Sequence, residues 1–336
     1  GAAAVRLARE GLTPRRIMTP AAFRNALTVL QAIGGSTNGL IHFTAIAGRL
    51  GIDLDLETFD RLGREVPVLV DLKPSGAHYM EHFCWAGGVP RLLAELAPLL
   101  DTAALTVAGG TLAHSIAGAE FVPGQDVIRG MDAPIHRGGG LAVLRGNLAP
   151  AGALLKRSAA TPALLQHEGR AVVFDGLADL AARIDDEALD VQAEDVLVLR
   201  NAGPKGAPGM PEAGYLPIPR KLARAGVKDM VRISDARMSG TAFGTIVLHA
   251  TPEAAIGGPL ALVRTGDRIR LDAEARRLDL LVGEAELASR RAAWVPPPPP
   301  QGAERGYLRL FLDQVLQADQ GCDFAFCRPG GAAPVR

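Results

Sequence analysis

Three cysteines in 336 residues, Cys84, Cys322 and Cys327, are too few and too scattered for a disulfide framework, which suits a reducing compartment. Net charge is also missing. With 36 Lys and Arg against 36 Asp and Glu, the whole molecule attracts neither nucleic acid nor an anionic membrane surface. No apolar run approaches the roughly 20 residues of a membrane helix, and no signal-peptide pattern opens the chain. These absences point to a soluble, cytoplasmic protein whose partner is a small molecule. An initiator Met is absent too: "GAAAVRLAREG" starts inside an Ala-rich helical pattern, so the expectation is that the natural protein continues upstream. There is no internal repeat.

What is present is apolar substance, 48% of residues, enough for a large core and most simply divided into two domains. Thr19 and Pro20 form a helix start, an N-cap with proline at the first helical position, and "AAFRNALTVLQAI" carries the apolar stripe that follows. The stripe stops at "GGSTNG", residues 34–39. Further helices are expected at about 40–50, 56–64 and 89–100, with a short strand "VPVLVDL" between them, an α/β alternation. Beyond residue 130 the texture changes to short β-rich runs: "LAVLRGNL", "GALLKRS", "RAVVFDG", "DVLVLRN", "KDMVRIS" and "GTIVLHA". Such spacing predicts a barrel or closed sheet. "DRIRLDAEARRLDLLV" reads as a hairpin turning near residues 273–275. Five prolines at 296–300 make a stiff extended connector to a final amphipathic helix, "RGYLRLFLDQVLQA", that folds back on the body.

Two segments could carry chemistry. In "VRISDARMSGTAFGTIVLHA", Ser239 follows a strand and precedes a glycine-rich bend, but Arg237 and Thr241 occupy the places where a hydrolase elbow has glycines. Seven histidines and no signature bringing one to Ser239 leave a serine hydrolase without support. In "RNAGPKGAPGMPEAGYLPIP", glycines and prolines fix an irregular backbone just before Glu212. A carboxylate held on so rigid a base suits a hard divalent cation such as magnesium; the alternative is a structural loop with a solvated Glu.

"GGSTNGLIHFTAIAGRLGIDL", "DLKPSG", "AGGVPRLLAEL", "PIHRGGGLAVLRGNLAPAGALLK", "GPKGAPGMPE" and "SDARMSGTAFGT" stand in an order and at separations that resemble the dihydroxy-acid and sugar-acid dehydratase family. The likeness runs from about Thr19 to Phe326. "PEAGYLPIPRKL" and "GCDFAF" look more like the aldonic acid (arabinonate, xylonate, galactonate) dehydratases than the branched-chain biosynthetic dihydroxy-acid dehydratase, which is the alternative. The resemblance implies a hydro-lyase that turns a sugar acid into its 2-keto-3-deoxy acid. It gives Ser239 the role of the alkoxide that removes the C2 proton and makes Glu212 a ligand of Mg2+. Gly240 would leave room for close approach and Thr241 would bond a substrate hydroxyl. The chemistry is demanding: a proton alpha to a carboxylate is weakly acidic, so its removal needs a strong base and cations that stabilise the enediolate.

An iron-sulfur cluster, 2Fe-2S, belongs by the same likeness to a segment upstream of this chain, and no iron-sulfur ligand is expected among the residues here. The chain is therefore expected to match the C-terminal portion of such an enzyme, acting as a homodimer or homotetramer. The fold class is α/β: residues 1–130 as the end of an N-terminal α/β domain, 131–295 as a β-barrel-like domain bearing Ser239, and 296–336 as proline linker and helical tail. Without the missing ligands, a non-catalytic binding or assembly module is the competing reading.

The remaining candidates have plainer readings. Asp235 and Arg237 orient the serine loop through a charge-assisted hydrogen bond. "GGSTN" is a C-cap followed by an N-cap in preference to an anion-binding nest. Lys73 is solvated, and His42 and His249 are satisfied core histidines. The spacing of Cys322 and Cys327 could suit a metal, with Cys84 as third ligand, but the reading favoured is no metal role.

Overall fold

The computed structural model describes residues 1–209, 216–238 and 243–330. The N-terminal third is helical. Helix α3 (Pro20–Ala32) begins where the sequence says: Thr19 accepts a hydrogen bond from the Ala22 N–H and proline occupies the first turn. Gly34, at φ 54°, ends that run, and Ser36 caps α4 (Thr37–Arg49) by accepting from the Asn38 N–H at 3.2 Å, so "GGSTN" is a C-cap followed by an N-cap. Asp55 caps α5 (Leu56–Glu65) in the same way. The apolar faces of α3, α4 and α5 meet in one cluster that includes Phe23, Leu27, Leu40, Phe59 and Leu62.

The segment "VPVLVDL" differs from expectation. It is extended, but Val68 and Val70 make single bridges to His136 and Ile128 and join no sheet, because their partners lie on irregular chain.

Among the described residues, eight strands form one sheet: β1 (Leu141–Leu144), β2 (Gly152–Lys156), β3 (Gln166–Asp175), β4 (Val196–Arg200), β5 (Arg232–Ser234), β6 (Ile246–Thr251), β7 (Arg268–Asp272) and β8 (Arg277–Leu280). Their order is β1-β2-β6-β5-β4-β3-β7-β8. The central four run parallel and are flanked on each side by antiparallel strands. The expected hairpin is β7–β8, with Asp272 paired to Arg277. The sheet nearly closes on itself. Arg145, just past β1, donates its N–H to the Arg276 carbonyl at 2.9 Å and accepts from the Leu278 N–H at 3.0 Å, while Asn147 bonds both Asp279 and Leu280.

Strand periodicity sorts the side chains among three cores. Ala142, Leu144, Ala171, Val173, Val196 and Val198 fill the barrel. Their alternates on β1, Leu141 and Val143, face the helical cluster. Those on β3 and β4, including Val172, Phe174, Leu197 and Leu199, face the layer around α9 (Gly176–Arg183). Strands covered on both faces read as continuous apolar runs, which is how they appear in the sequence.

The prolines at 296–300 are extended and exposed and lead to helix α12 (Gly306–Gln314). The tail does fold back. Phe311 packs edge-on against Phe324 with ring centroids 5.6 Å apart, and Arg49 grips Asp323 through two 2.7 Å hydrogen bonds. Among the described residues no helix is long and apolar enough to cross a membrane.

Candidate functional site

Ser239, Gly240, Thr241 and Glu212 lie outside the described residues, so the geometry of the site is that of the chain leading into and out of them. Glu212 belongs to the connection that leaves β4, and Ser239 to the one that leaves β5. Both start at the carboxyl ends of neighbouring parallel strands, whose register pairs Leu199 with Ser234. In open α/β sheets this is where ligands bind, because the strand ends splay and the connections above them form a crevice.

Three buried polar residues, Asp235, Glu253 and Arg232, hold these connections. Asp235, 1% exposed, accepts hydrogen bonds from the N–H groups of Asn201 (3.2 Å), Ala202 (3.0 Å) and Ala254 (2.9 Å). One carboxylate at the root of the serine loop therefore ties down the root of the glutamate loop. Burial, with Glu253 nearby, outweighs these N–H groups and pushes Asp235 up to about 7. Its orienting role matches the sequence reading, although the bonds come from backbone groups.

Glu253 accepts from the Lys205 and Gly206 N–H groups and from the Gln317 amide at 2.6 Å, fixing the turn ahead of Glu212. That turn requires glycine: a Cβ on Gly206 would stand 2.7 Å from the Asn201 carbonyl carbon.

The far ends of the two loops share a guanidinium. Arg232 donates through Nη1 to the Leu216 carbonyl (3.1 Å), the first described residue after the glutamate loop. It donates through Nη2 to the Phe243 carbonyl (2.9 Å), the first after the serine loop. Asp229 pairs with the same Nη2 at 3.0 Å and also accepts from the Thr245 N–H and hydroxyl. Gly244, at φ 114°, sits so close to Arg232 and Asp229 that a Cβ would collide with both. On the other flank of the serine loop, Asn38 Nδ2 donates to the Met238 carbonyl at 3.0 Å, linking the start of α4 to the loop across 200 residues of sequence.

Several sequence expectations are corrected here. His249 is buried but not satisfied: among the described residues neither ring nitrogen has a hydrogen-bond partner, and burial, with the charge of Arg237 adding to it, pushes the imidazole down to about 3. His42 lies on the outer side of α4 and is exposed, so it is no core histidine. Lys73 is solvent-exposed as expected, and its Nζ sits 3.9 Å from the centroid of the Tyr79 ring. Cys84 is exposed, whereas Cys322 is half-buried and burial pushes its thiol up to about 12. Among the described residues no three His, Cys, Asp or Glu side chains converge as a metal group would require. The carboxylates nearest the loops, Asp235 and Glu253, are already occupied by N–H donors, so the described residues do not by themselves fit a metal. Arg232, Asp229, Glu253 and Asn38 were missed from sequence. The one available signal was an Arg and an Asp inside the apolar run "KDMVRIS".

Residues 126–322 match the family model described as dihydroxy-acid/6-phosphogluconate dehydratase C-terminal. Residues 1–115 match the corresponding N-terminal model, so the likeness is not confined to a C-terminal portion. The chain is 53% identical over 329 residues to L-arabonate dehydratase of Azospirillum brasilense, covering 96% of this chain and 56% of that protein. It is 50% identical over 327 residues to L-arabinonate dehydratase of Rhizobium leguminosarum bv. trifolii (strain WSM2304), with the same coverage. To 6-deoxy-6-sulfo-D-gluconate dehydratase of Pseudomonas putida it is 48% identical over 337 residues, covering 99% of this chain and 58% of that protein. The chain thus spans somewhat more than half the length of these relatives. From the matching domain models and these identities, the chain belongs to the dihydroxy-acid/6-phosphogluconate dehydratase family.

Proposed function

We propose that this chain supplies the barrel side of a hydro-lyase site that dehydrates an aldonic sugar acid to the 2-keto-3-deoxy acid. The observation that carries the reading is the shared anchoring of the two loops: Asp235 ties their roots and Arg232 their far ends, so a base on one and a carboxylate on the other would serve one crevice. The relatives named for sugar acids, at 48–53% identity, stand above those named dihydroxy-acid dehydratase, at 42–46%, which favours a polyhydroxy substrate over a branched-chain one.

In this proposal Ser239 takes the proton from C2, Thr241 bonds a substrate hydroxyl and Gly240 leaves space for the substrate backbone. The C3 hydroxyl departs as water, and the resulting enol tautomerises to the keto acid. A magnesium ion at Glu212 and an iron-sulfur cluster form part of the same proposal; bound, they supply the positive charge that a carbanionic elimination needs.

The test is turnover of L-arabinonate by the purified natural protein, followed as formation of the 2-keto-3-deoxy acid. Ser239→Ala should lower kcat by at least about 10³-fold, as loss of a covalent or proton-transfer group does, with an unchanged melting temperature. Wild-type turnover by that variant would remove the assigned base.

A further inference from the structure

A cavity of about 250 Å³ lies between α4, the turn ending at Gly209, β6 and the segment after α12. Its wall includes Gly209, the last described residue before the glutamate loop, and Arg237, two residues ahead of Ser239. Two of its residues present polar atoms with nothing to bond among the described residues. His249 is 2% exposed, and both its Nδ1 and Nε2 lack a partner. Asn38 spends its Nδ2 on the Met238 carbonyl, which fixes the orientation of the amide and leaves Oδ1, also buried, without a donor.

The position of His249 is a built feature of the strand. Pairing of β2 with β6 slips between Gly152↔Thr251 and Leu154↔Leu248, so β6 carries one extra residue there. His249 adopts φ 56° within that bulge and gives its N–H to the Ala236 carbonyl. A bulge of this kind turns a side chain out of the ladder direction, here to the cavity wall.

The unpaired atoms specify a ligand. A neutral imidazole offers one N–H donor and one lone pair, and the Asn38 carbonyl oxygen adds a second acceptor. A carboxylate or phosphate would set acceptor against acceptor at two of the three atoms, and a cation would meet the N–H unfavourably. A hydroxyl both donates and accepts, so adjacent hydroxyls satisfy all three. Ile41, Phe311 and Val315 supply apolar surface for the C–H faces of a carbon chain. The volume is below the 300–1,000 Å³ or so of a whole ligand site, which fits part of a molecule.

We propose that His249 and Asn38 form a hydroxyl-recognition subsite that receives the distal carbons of a polyhydroxy acid and selects it over a dihydroxy acid with an alkyl tail. This rests on the reading that the substrate engages the Ser239 and Glu212 loops.

The experiment compares kcat/KM for L-arabinonate with that for 2,3-dihydroxy-3-methylbutanoate in the natural protein and in His249→Phe, which keeps the ring shape and deletes both nitrogens. The selectivity ratio should fall about tenfold, the scale of one lost hydrogen bond to a substrate hydroxyl. An unchanged ratio overturns the subsite. Should His249→Phe not fold, His249→Asn, which tolerates the left-handed backbone but is too short to reach, is read by the same ratio. If the natural protein turns over neither acid, the reading of the reaction has failed separately. Calorimetric binding of the two acids then decides the subsite: a preference for arabinonate that His249→Phe abolishes supports it, and no preference, or one that survives, overturns it.

Discussion

In the helical region, ion pairs such as Arg6 with Glu10 and Arg61 with Glu65 run along helix surfaces, every side chain about half exposed. At the amino end of β5, the side chains of Arg232 and Asp229 are each 4% exposed and bonded to backbone carbonyls, N–H groups and one another. The same chemistry serves different ends. Water and salt screen the surface pairs to a few tenths of a kcal/mol, while a buried pair is costly to desolvate and costlier to break. Charge has been buried where Arg232 joins the chain at Leu216 to the chain at Phe243, and left outside where helices need only a soluble face.

The sharpest way to break this contrast is Arg232→Met. It removes the donor shared by Leu216 and Phe243 and leaves the Asp229 carboxylate buried without a counter-charge. Urea unfolding should show a loss of about 3–5 kcal/mol, and a loss below about 1 kcal/mol would mean the clamp is not where the energy lies.

Acid sharpens the contrast next. His249 is held near 3, below its ordinary 6.5, so the unfolded chain binds a proton that the folded chain refuses. The stability from keeping this imidazole neutral is intact above about 6.5 and is lost progressively as pH falls towards 3. His249→Asn should flatten the fall of melting temperature over that window; an identical pH profile would count against the burial argument. Asp55→Ala, which deletes the N-cap that accepts from Thr58 N–H at 2.6 Å, should cost about 1 kcal/mol in the same unfolding assay. The smallest effect belongs to Arg61→Ala, at no more than about 0.5 kcal/mol, and a larger value would blur the distinction between the two regions.

Local signals and long-range ones were unequally legible. Thr19, Ser36 and the hairpin around Ala273 act within a few residues of themselves, so the sequence exposes them. Ser239 and Glu212 were singled out because whole motif blocks surround them, and both lie outside the described residues. Closure of the sheet was expected only in kind, since the contact that makes it joins Arg145 to Arg276 and Leu278 across the chain. The strand expected in "VPVLVDL" had the right residues but no regular neighbour to pair with. His249 looked like core because it is apolar in context, and nothing local betrays that it lines a cavity with both nitrogens unpaired. Arg232 could not be valued from its strand, because its worth depends on the carbonyls of Leu216 and Phe243, which come from separate segments of the chain.

Arg232 has a consequence for anyone who wishes to retune this protein. A single planar group fixes the gap between two loops, so exchanging one loop for that of a relative, or lengthening it by a residue, drags the other through the common fork. Substrate preference should therefore change readily only when both are transplanted as a matched set, together with the Arg232–Asp229 pair beneath them.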